Sequence, residues 1–140
     1  MKKLMGIILV GILMIFTCVG CGGESNNKKT VTYADADIAV LMNDLEKNAA
    51  AASKNYKGKD VKVINGIVSN IDADGKYFNI QPAGKEFSLL SMQCFIKDSK
   101  LKDQVTKLEK GSPVVVYGHI KDVGEILGYS LDTQKIEISK

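Results

Sequence analysis

Cys18, Cys21, Cys94 and His119 carry the side chains best suited to chemistry, and their placement decides how little they can do together. His119 is the one histidine in 140 residues. A single histidine does not supply a multi-histidine metal site, and no Ser-His or Cys-His arrangement can be placed around it. It lies beside Gly118 in the strand-like run Val114–Ile120, where a structural or surface role without an evident partner is expected. Cys94 sits in another apolar run with no histidine near it, which predicts a buried, inert thiol. Asn70, Asp72, Asp74 and Gly75 match positions one, three, five and six of a calcium loop. The twelfth position is Gln81, where a bidentate glutamate is needed. Strand-like flanks make this stretch a hairpin turn instead. The residues therefore predict a protein that is not an enzyme and holds no metal or cofactor.

The remaining cysteines belong to the N-terminus. Met1-Lys2-Lys3 is a positive n-region, and Leu4–Val19 is an uninterrupted run of sixteen residues without a charge. With no charged stop-transfer flank, it reads as a secretory signal rather than a spanning helix. Val19-Gly20-Cys21 resembles the lipobox of bacterial lipoproteins, with small residues before the lipidated cysteine; Cys18 stands where leucine is usual. That resemblance implies cleavage before Cys21, a diacylglyceryl thioether on its sulfur and stable anchoring by two or three acyl chains. The alternative is a secreted chain with two cysteines near its cleavage site. An acylated cysteine accounts better for an otherwise orphan thiol, and it leaves Cys94 with no disulfide partner.

Charge limits the partners. Removing Lys2 and Lys3 from the 19 basic residues leaves 17 lysines against 16 acids, a net of +1. Such a chain has no long-range field to recruit nucleic acid or anionic lipid. Every basic residue is lysine, so the bidentate arginine contacts common in base and phosphate recognition are absent. The chain divides into residues 1–20 as signal peptide, 21–31 as lipidated cysteine and flexible tether, and 32–140 as one folded domain. Gly22–Lys29 is too polar to bury surface.

The domain is organised around Val61–Ile71. Val61, Val63, Ile67 and Ile71 share one parity, while Ile64 and Val68 share the other. A strand with one buried face alternates strictly. The change of phase near Gly66 predicts a bulge or bend there, as a small closed sheet requires. Ahead of this strand, Ile38, Leu41, Met42, Leu45, Ala49 and Ala52 form one helical stripe ending near Lys54. Thr32 is its expected N-cap, and Asp35 its first-turn acid. Behind the long strand come Lys76–Ile80 and Phe87–Ile96 as strands. Leu101, Val105 and Leu108 then mark a short helix within Asp98–Lys110, with Gly111 as its C′ residue and Pro113 barring continuation. Val114–Ile120 and Ile126–Leu131 are the last strands, the latter continued by Ile136 and Ile138. The order predicts an all-β barrel with added helices: a five-stranded OB-fold, its helix between strands three and four, with an extra N-terminal helix.

Tyr56-Lys57-Gly58-Lys59, Val63–Val68, Gln93-Cys94-Phe95, Leu108–Gly111 and Val114–Gly118 occur in an order that resembles the tRNA-anti-like family of bacterial OB-fold proteins, over about Thr32 to Ile138. The resemblance implies an OB barrel, often on an exported lipoprotein, and carries no catalytic residues. Where that pattern often has a second cysteine near the C-terminus, this chain has Gln134 or Lys135, so no pair with Cys94 is carried over.

OB domains usually bind on the face of strands two and three. Tyr77, Asn79 and Gln93 are the expected ligand face, with Lys76 and Lys85 nearby. Phe78, Phe87 and Phe95 are assigned to the core. The expected protein is exported and lipid-anchored to the bacterial membrane or envelope through Cys21. Its partner there is a protein, saccharide or small ligand. Single-stranded nucleic acid is the alternative partner, with Lys76, Lys85, Lys97, Lys100 and Lys102 against phosphate, and near-zero charge speaks against it. A short connection from helix to long strand predicts that the N-terminal helix caps the barrel's end and leaves this face open.

Overall fold

The computed structural model describes residues 29–85 and 88–138. The signal-peptide and lipidation assignments, with Cys21, and the tether as far as residue 28 lie outside the described residues, as does Phe87; the last tether residues, 29–31, are exposed and without regular structure. Nine elements follow in order: β1 (Ala34–Asp37), α1 (Ile38–Lys47), α2 (Ala49–Tyr56), β2 (Asp60–Ile71), β3 (Tyr77–Pro82), β4 (Ser91–Phe95), α3 (Ser99–Val105), β5 (Pro113–Gly124) and β6 (Gly128–Ile138). The sheet order is β1-β2-β3-β4-β6-β5, and pairing of β2 with β5 closes β2 to β6 into a five-stranded barrel. The β4–β6 pairing is parallel and the other barrel pairings are antiparallel. With α3 between the third and fourth barrel strands, this is an OB-fold with added helices.

The long strand changes phase as its pattern requires. Val61 and Val63 are buried, then Gly66 and Val68, and the β2–β5 register shifts between Val63 and Gly66. The residue in the left-handed region is Asn65, at φ 60°, not the glycine. Asparagine tolerates that region because its short side chain can bond locally. Gly66 serves by its size: a Cβ there would sit 3.0 Å from Ile80 Cδ1 and 3.3 Å from the Val114 carbonyl oxygen.

The N-terminal segment departs from the expected single helix. Thr32 is not a cap, and Asp35 lies in β1, which pairs in parallel with Val61–Ile64. The cap is Asp37, whose carboxylate accepts from the Ala39 N–H at 2.7 Å. Asn48 breaks the helix in two by adopting an extended backbone and capping α2, its side-chain oxygen accepting from Ala51 N–H at 3.0 Å. Asparagine and aspartate compete with the helical backbone in this way, which the apolar stripe alone does not reveal. Lesser differences occur elsewhere. Strand β3 runs on to Pro82, and β4 is shorter than expected because Ser88 bonds its own loop, its hydroxyl accepting from Leu90 N–H at 3.2 Å. Helix α3 ends at Val105, short of Gly111, whose φ of 87° serves the following turn instead.

Helices close both ends of the barrel. Ile38, Leu41, Met42, Leu45 and Ala52 join Val61, Val63, Phe78, Ile80, Met92, Cys94 and Tyr129 in one buried cluster. Tyr129 donates its buried hydroxyl to the Leu41 carbonyl at 2.8 Å, so its polar tip is satisfied inside the apolar cap. At the opposite end Leu101, Val105 and Leu108 are buried, and Gly111 N–H donates to the Val68 carbonyl at 2.8 Å. The N-terminal helices therefore cap an end rather than cross the outer face of β3 and β4. Tyr77 is no member of the buried cluster.

Candidate ligand-binding face

Alternation along β3 sends Phe78 and Ile80 into the barrel, both fully buried, and turns Tyr77 and Asn79 outward. On β4 the same rule buries Met92 and Cys94 and turns Gln93 and Phe95 outward. Register then sets Tyr77 opposite Phe95 and Asn79 opposite Gln93. The Tyr77 and Phe95 rings lie 6.1 Å apart between centroids, tilted by 53°. Phe95, expected in the core, is half-buried on this outer face, because β4 places it in phase with Gln93. Asn79 donates its amide to Ser91 Oγ at 2.9 Å; its Oδ1 is buried with no hydrogen-bond partner among the described residues.

The predicted lysines separate. Lys76 borders the aromatic pair, but its ammonium is held by Asp74 at 2.9 Å. That pair raises the Lys76 pKa and lowers the Asp74 pKa, first through the hydrogen bond and then through charge. Lys85 is not brought to the group. It stands beyond the far end of β3, in a cleft of about 280 Å³ shared with Ala39, Met42 and Asn43 of α1.

This face extends farther than β3 and β4, across residues distant in sequence. Parallel pairing sets Phe95 beside Asp132, and the β5–β6 register sets Asp132 beside His119. His119 faces Asp60 across β2 and β5. One outward row thus runs Tyr77, Phe95, Asp132, His119, Asp60. His119 has the partner the sequence did not reveal: its Nδ1 lies 2.9 Å from Asp60 Oδ1. No local spacing announces a pair 59 residues apart; the barrel closure makes it. Lys97 reaches back to Asp132 at 2.6 Å.

A second outward group lies across β2, β5 and β6. Tyr33 and Tyr117 meet edge to face at 5.3 Å, and Lys135 stands over the Tyr117 ring at 4.7 Å. Glu137 accepts from both Lys135 and Tyr117, and Tyr33 donates to Gln134. The carboxylate raises the Lys135 pKa, and its own falls with Lys135 as the largest cause.

Cys94 is fully buried, its thiol directed at the Met92 carbonyl at 3.8 Å; burial pushes the thiol well above the ordinary cysteine range. Such a thiol is no nucleophile. Among the described residues no group of three or more His, Cys, Asp and Glu is arranged to hold a metal ion. Asp72, Asp74 and Gly75 form the hairpin turn between β2 and β3, where Gly75 N–H donates to the Asp72 carbonyl at 2.9 Å.

Comparison with known proteins gives the same architecture. None of the curated proteins matches the chain. A protein from Leishmania major, provisionally assigned as an aspartyl-tRNA synthetase, superposes with a TM-score of 0.52 at 14% identity. The match covers 83% of this chain but 22% of the synthetase, so the chain spans about a fifth of that protein. A protein from Klebsiella pneumoniae, provisionally assigned as a nucleic acid-binding lipoprotein, superposes with a TM-score of 0.51 at 24% identity, covering 77% of this chain and 92% of that one. At these identities both show the shared fold. The family model described as tRNA_anti-like, an OB-fold binding domain and not a catalytic family, matches residues 1–128. The chain belongs to the tRNA_anti-like family of OB-fold proteins.

Proposed function

We propose that the chain is a lipid-anchored, non-catalytic binding module of the cell envelope that holds its ligand on the outer face of β3 and β4. Residues 1–20 are the signal peptide, Cys21 carries the lipid, residues 21–31 are the tether, and 32–140 the OB domain. The observation that carries the reading is the Tyr77–Phe95 pair beside Asn79 and Gln93 on a face the capping helices leave uncovered. Partly exposed aromatic rings with neighbouring amides suit a ligand that offers an apolar side and hydrogen-bonding groups. Lys76, next to Tyr77 in the chain, and Lys97, two residues beyond Phe95, are each paired with a carboxylate. A phosphate backbone would have to displace those pairs, so a ligand without dense negative charge fits better.

Single-stranded nucleic acid is the second reading, favoured by Tyr33 and Tyr117 with Lys62 and Lys135 on the other outward group. Stacking rings with lysines are the elements of such sites. There too carboxylates stand by, with Glu137 on Lys135 and Asp35 3.8 Å from Lys62.

Two measurements test the proposal. In cells, Cys21→Ser should move the chain from the membrane fraction to the soluble one, and mass spectrometry of the native protein should find acyl chains on an N-terminal Cys21. An unmodified chain starting elsewhere contradicts the anchor. On a single-stranded DNA column at low salt, the full chain should not be retained; salt-sensitive retention favours the second reading.

A further inference from the structure

Beside the row of outward residues, α3 and the middle of β6 enclose a cleft of about 400 Å³ lined by Lys97, Asp98, Leu101, Asp132, Thr133 and Gln134. Two of its side chains carry polar atoms out of solvent with no hydrogen-bond partner among the described residues: Asp132 Oδ1 and Thr133 Oγ1. Thr133 is 7% exposed. Buried polar atoms are nearly always satisfied, and an orphan costs free energy until a partner arrives. Ordered water ordinarily meets such atoms, and a ligand hydroxyl that reaches Asp132 Oδ1 or Thr133 Oγ1 takes the place of that water.

The surroundings select the donor. Asp132 Oδ2 is already neutralised by Lys97 at 2.6 Å, so the cleft has no free charge to recruit an anion, and the Asp98 carboxylate is spent capping α3 on Lys100 N–H at 2.8 Å. Phosphate would face two carboxylates. A neutral O–H satisfies Asp132 Oδ1 without another counter-ion, and a second hydroxyl pairs with Thr133 Oγ1 as donor or acceptor. Gln134 gives its carbonyl to Tyr33 and keeps its amide protons for a ligand oxygen. Leu101 supplies an apolar wall. One strand away Phe95 adjoins Asp132, and Tyr77 adjoins Phe95. Adjacent hydroxyl donors beside an aromatic surface are the chemistry of a sugar ring, with its polar rim and apolar face.

We propose that the cleft of Asp132, Thr133 and Gln134 is a saccharide subsite continuous with the β3–β4 face. This rests on the binding-module reading and names its ligand class. The Asp132 carboxylate and Thr133 hydroxyl take the hydroxyls of one sugar residue, and the Phe95 and Tyr77 rings take the apolar side of the next.

The test is an amide-resolved titration of the full chain in a sugar-free detergent with three probes: a β-1,4-linked glucose hexasaccharide, its N-acetylglucosamine counterpart, and an eight-nucleotide oligothymidylate. At least one hexasaccharide should shift the amides of Lys97 and Asp132 to Gln134. Asp132→Asn, which exchanges a charge-assisted acceptor for a weaker neutral one, and Thr133→Val, which removes the hydroxyl, each checked for an intact spectrum, should weaken that binding about tenfold or more. Absence of those shifts with both sugars overturns the subsite, as does oligothymidylate binding alone. Sugar binding that is lost in Tyr77→Ala but unchanged in Asp132→Asn and Thr133→Val overturns the subsite and leaves the β3–β4 face standing. Binding weakened by the cleft variants and indifferent to Tyr77→Ala supports the subsite and overturns the face.

Discussion

Asn65 donates its side-chain amide to Asp37 Oδ2 at 2.6 Å, while Asp37 Oδ1 caps the first turn of α1. One carboxylate thus ties the bulge of the long strand to the start of the helix that closes the barrel. The bulge needs a residue that accepts φ 60°, and the helix needs a cap; Asn65 and Asp37 meet both needs together. Asn65→Ala should destabilise the protein by about 1–2 kcal/mol, from the left-handed backbone and the lost bond. Asn65→Gly, which relieves the backbone, should cost less. Urea titrations of the two variants decide; equal midpoints would mean that backbone conformation contributes nothing.

Glycine substitutions should form a graded series. A Cβ at Gly128 would lie 1.9 Å from the Ser91 carbonyl oxygen, with φ at 91°, where β4 and β6 approach. Gly128→Ala should cost more than about 3 kcal/mol or prevent folding, since backbone must move. Gly66→Val should cost about 1–3 kcal/mol, because Ile80 Cδ1 at 3.0 Å can yield partly. Gly84→Ala meets nothing within 4 Å and bears the backbone term alone, about 1 kcal/mol. Thermal denaturation in that order checks the account; a Gly128 variant as stable as the Gly84 variant contradicts it.

Cys94 should be unreactive in the folded protein. Its thiolate is disfavoured by complete burial, and the thiolate is the reactive form. An alkylating reagent at pH 8 should leave Cys94 unmodified in native buffer and label it fully in denaturant. Rapid native labelling would show that β4 opens readily.

The barrel order was legible in the sequence because each strand carries its own period. The phase change in Val61–Ile71 located the bulge to within a residue. Helix α3 was readable from the spacing of Leu101, Val105 and Leu108. The break at Asn48 and strand β1 were not, since a stripe of Ile38, Leu41, Leu45 and Ala52 looks alike with or without an interruption, and Ala34–Asp37 is a strand only by pairing with Val61–Ile64. The same limit governs the site. Tyr77, Asn79 and Gln93 follow from alternation within one strand. Phe95 beside Asp132 and His119 beside Asp60 follow from register between strands distant in sequence, which no local pattern encodes.

A ligand held on the β3–β4 face must come within reach of positions 77 and 93. A photoreactive phenylalanine analogue placed in living cells at position 77 or 93, and at 40 or 117 as controls, tests this placement most directly. Val40 is 51% exposed on α1, and Tyr117 belongs to the second outward group. Adducts are expected from positions 77 and 93 and none from 40 and 117. Adducts confined to position 117 or 40 would place the ligand elsewhere and contradict binding on the β3–β4 face.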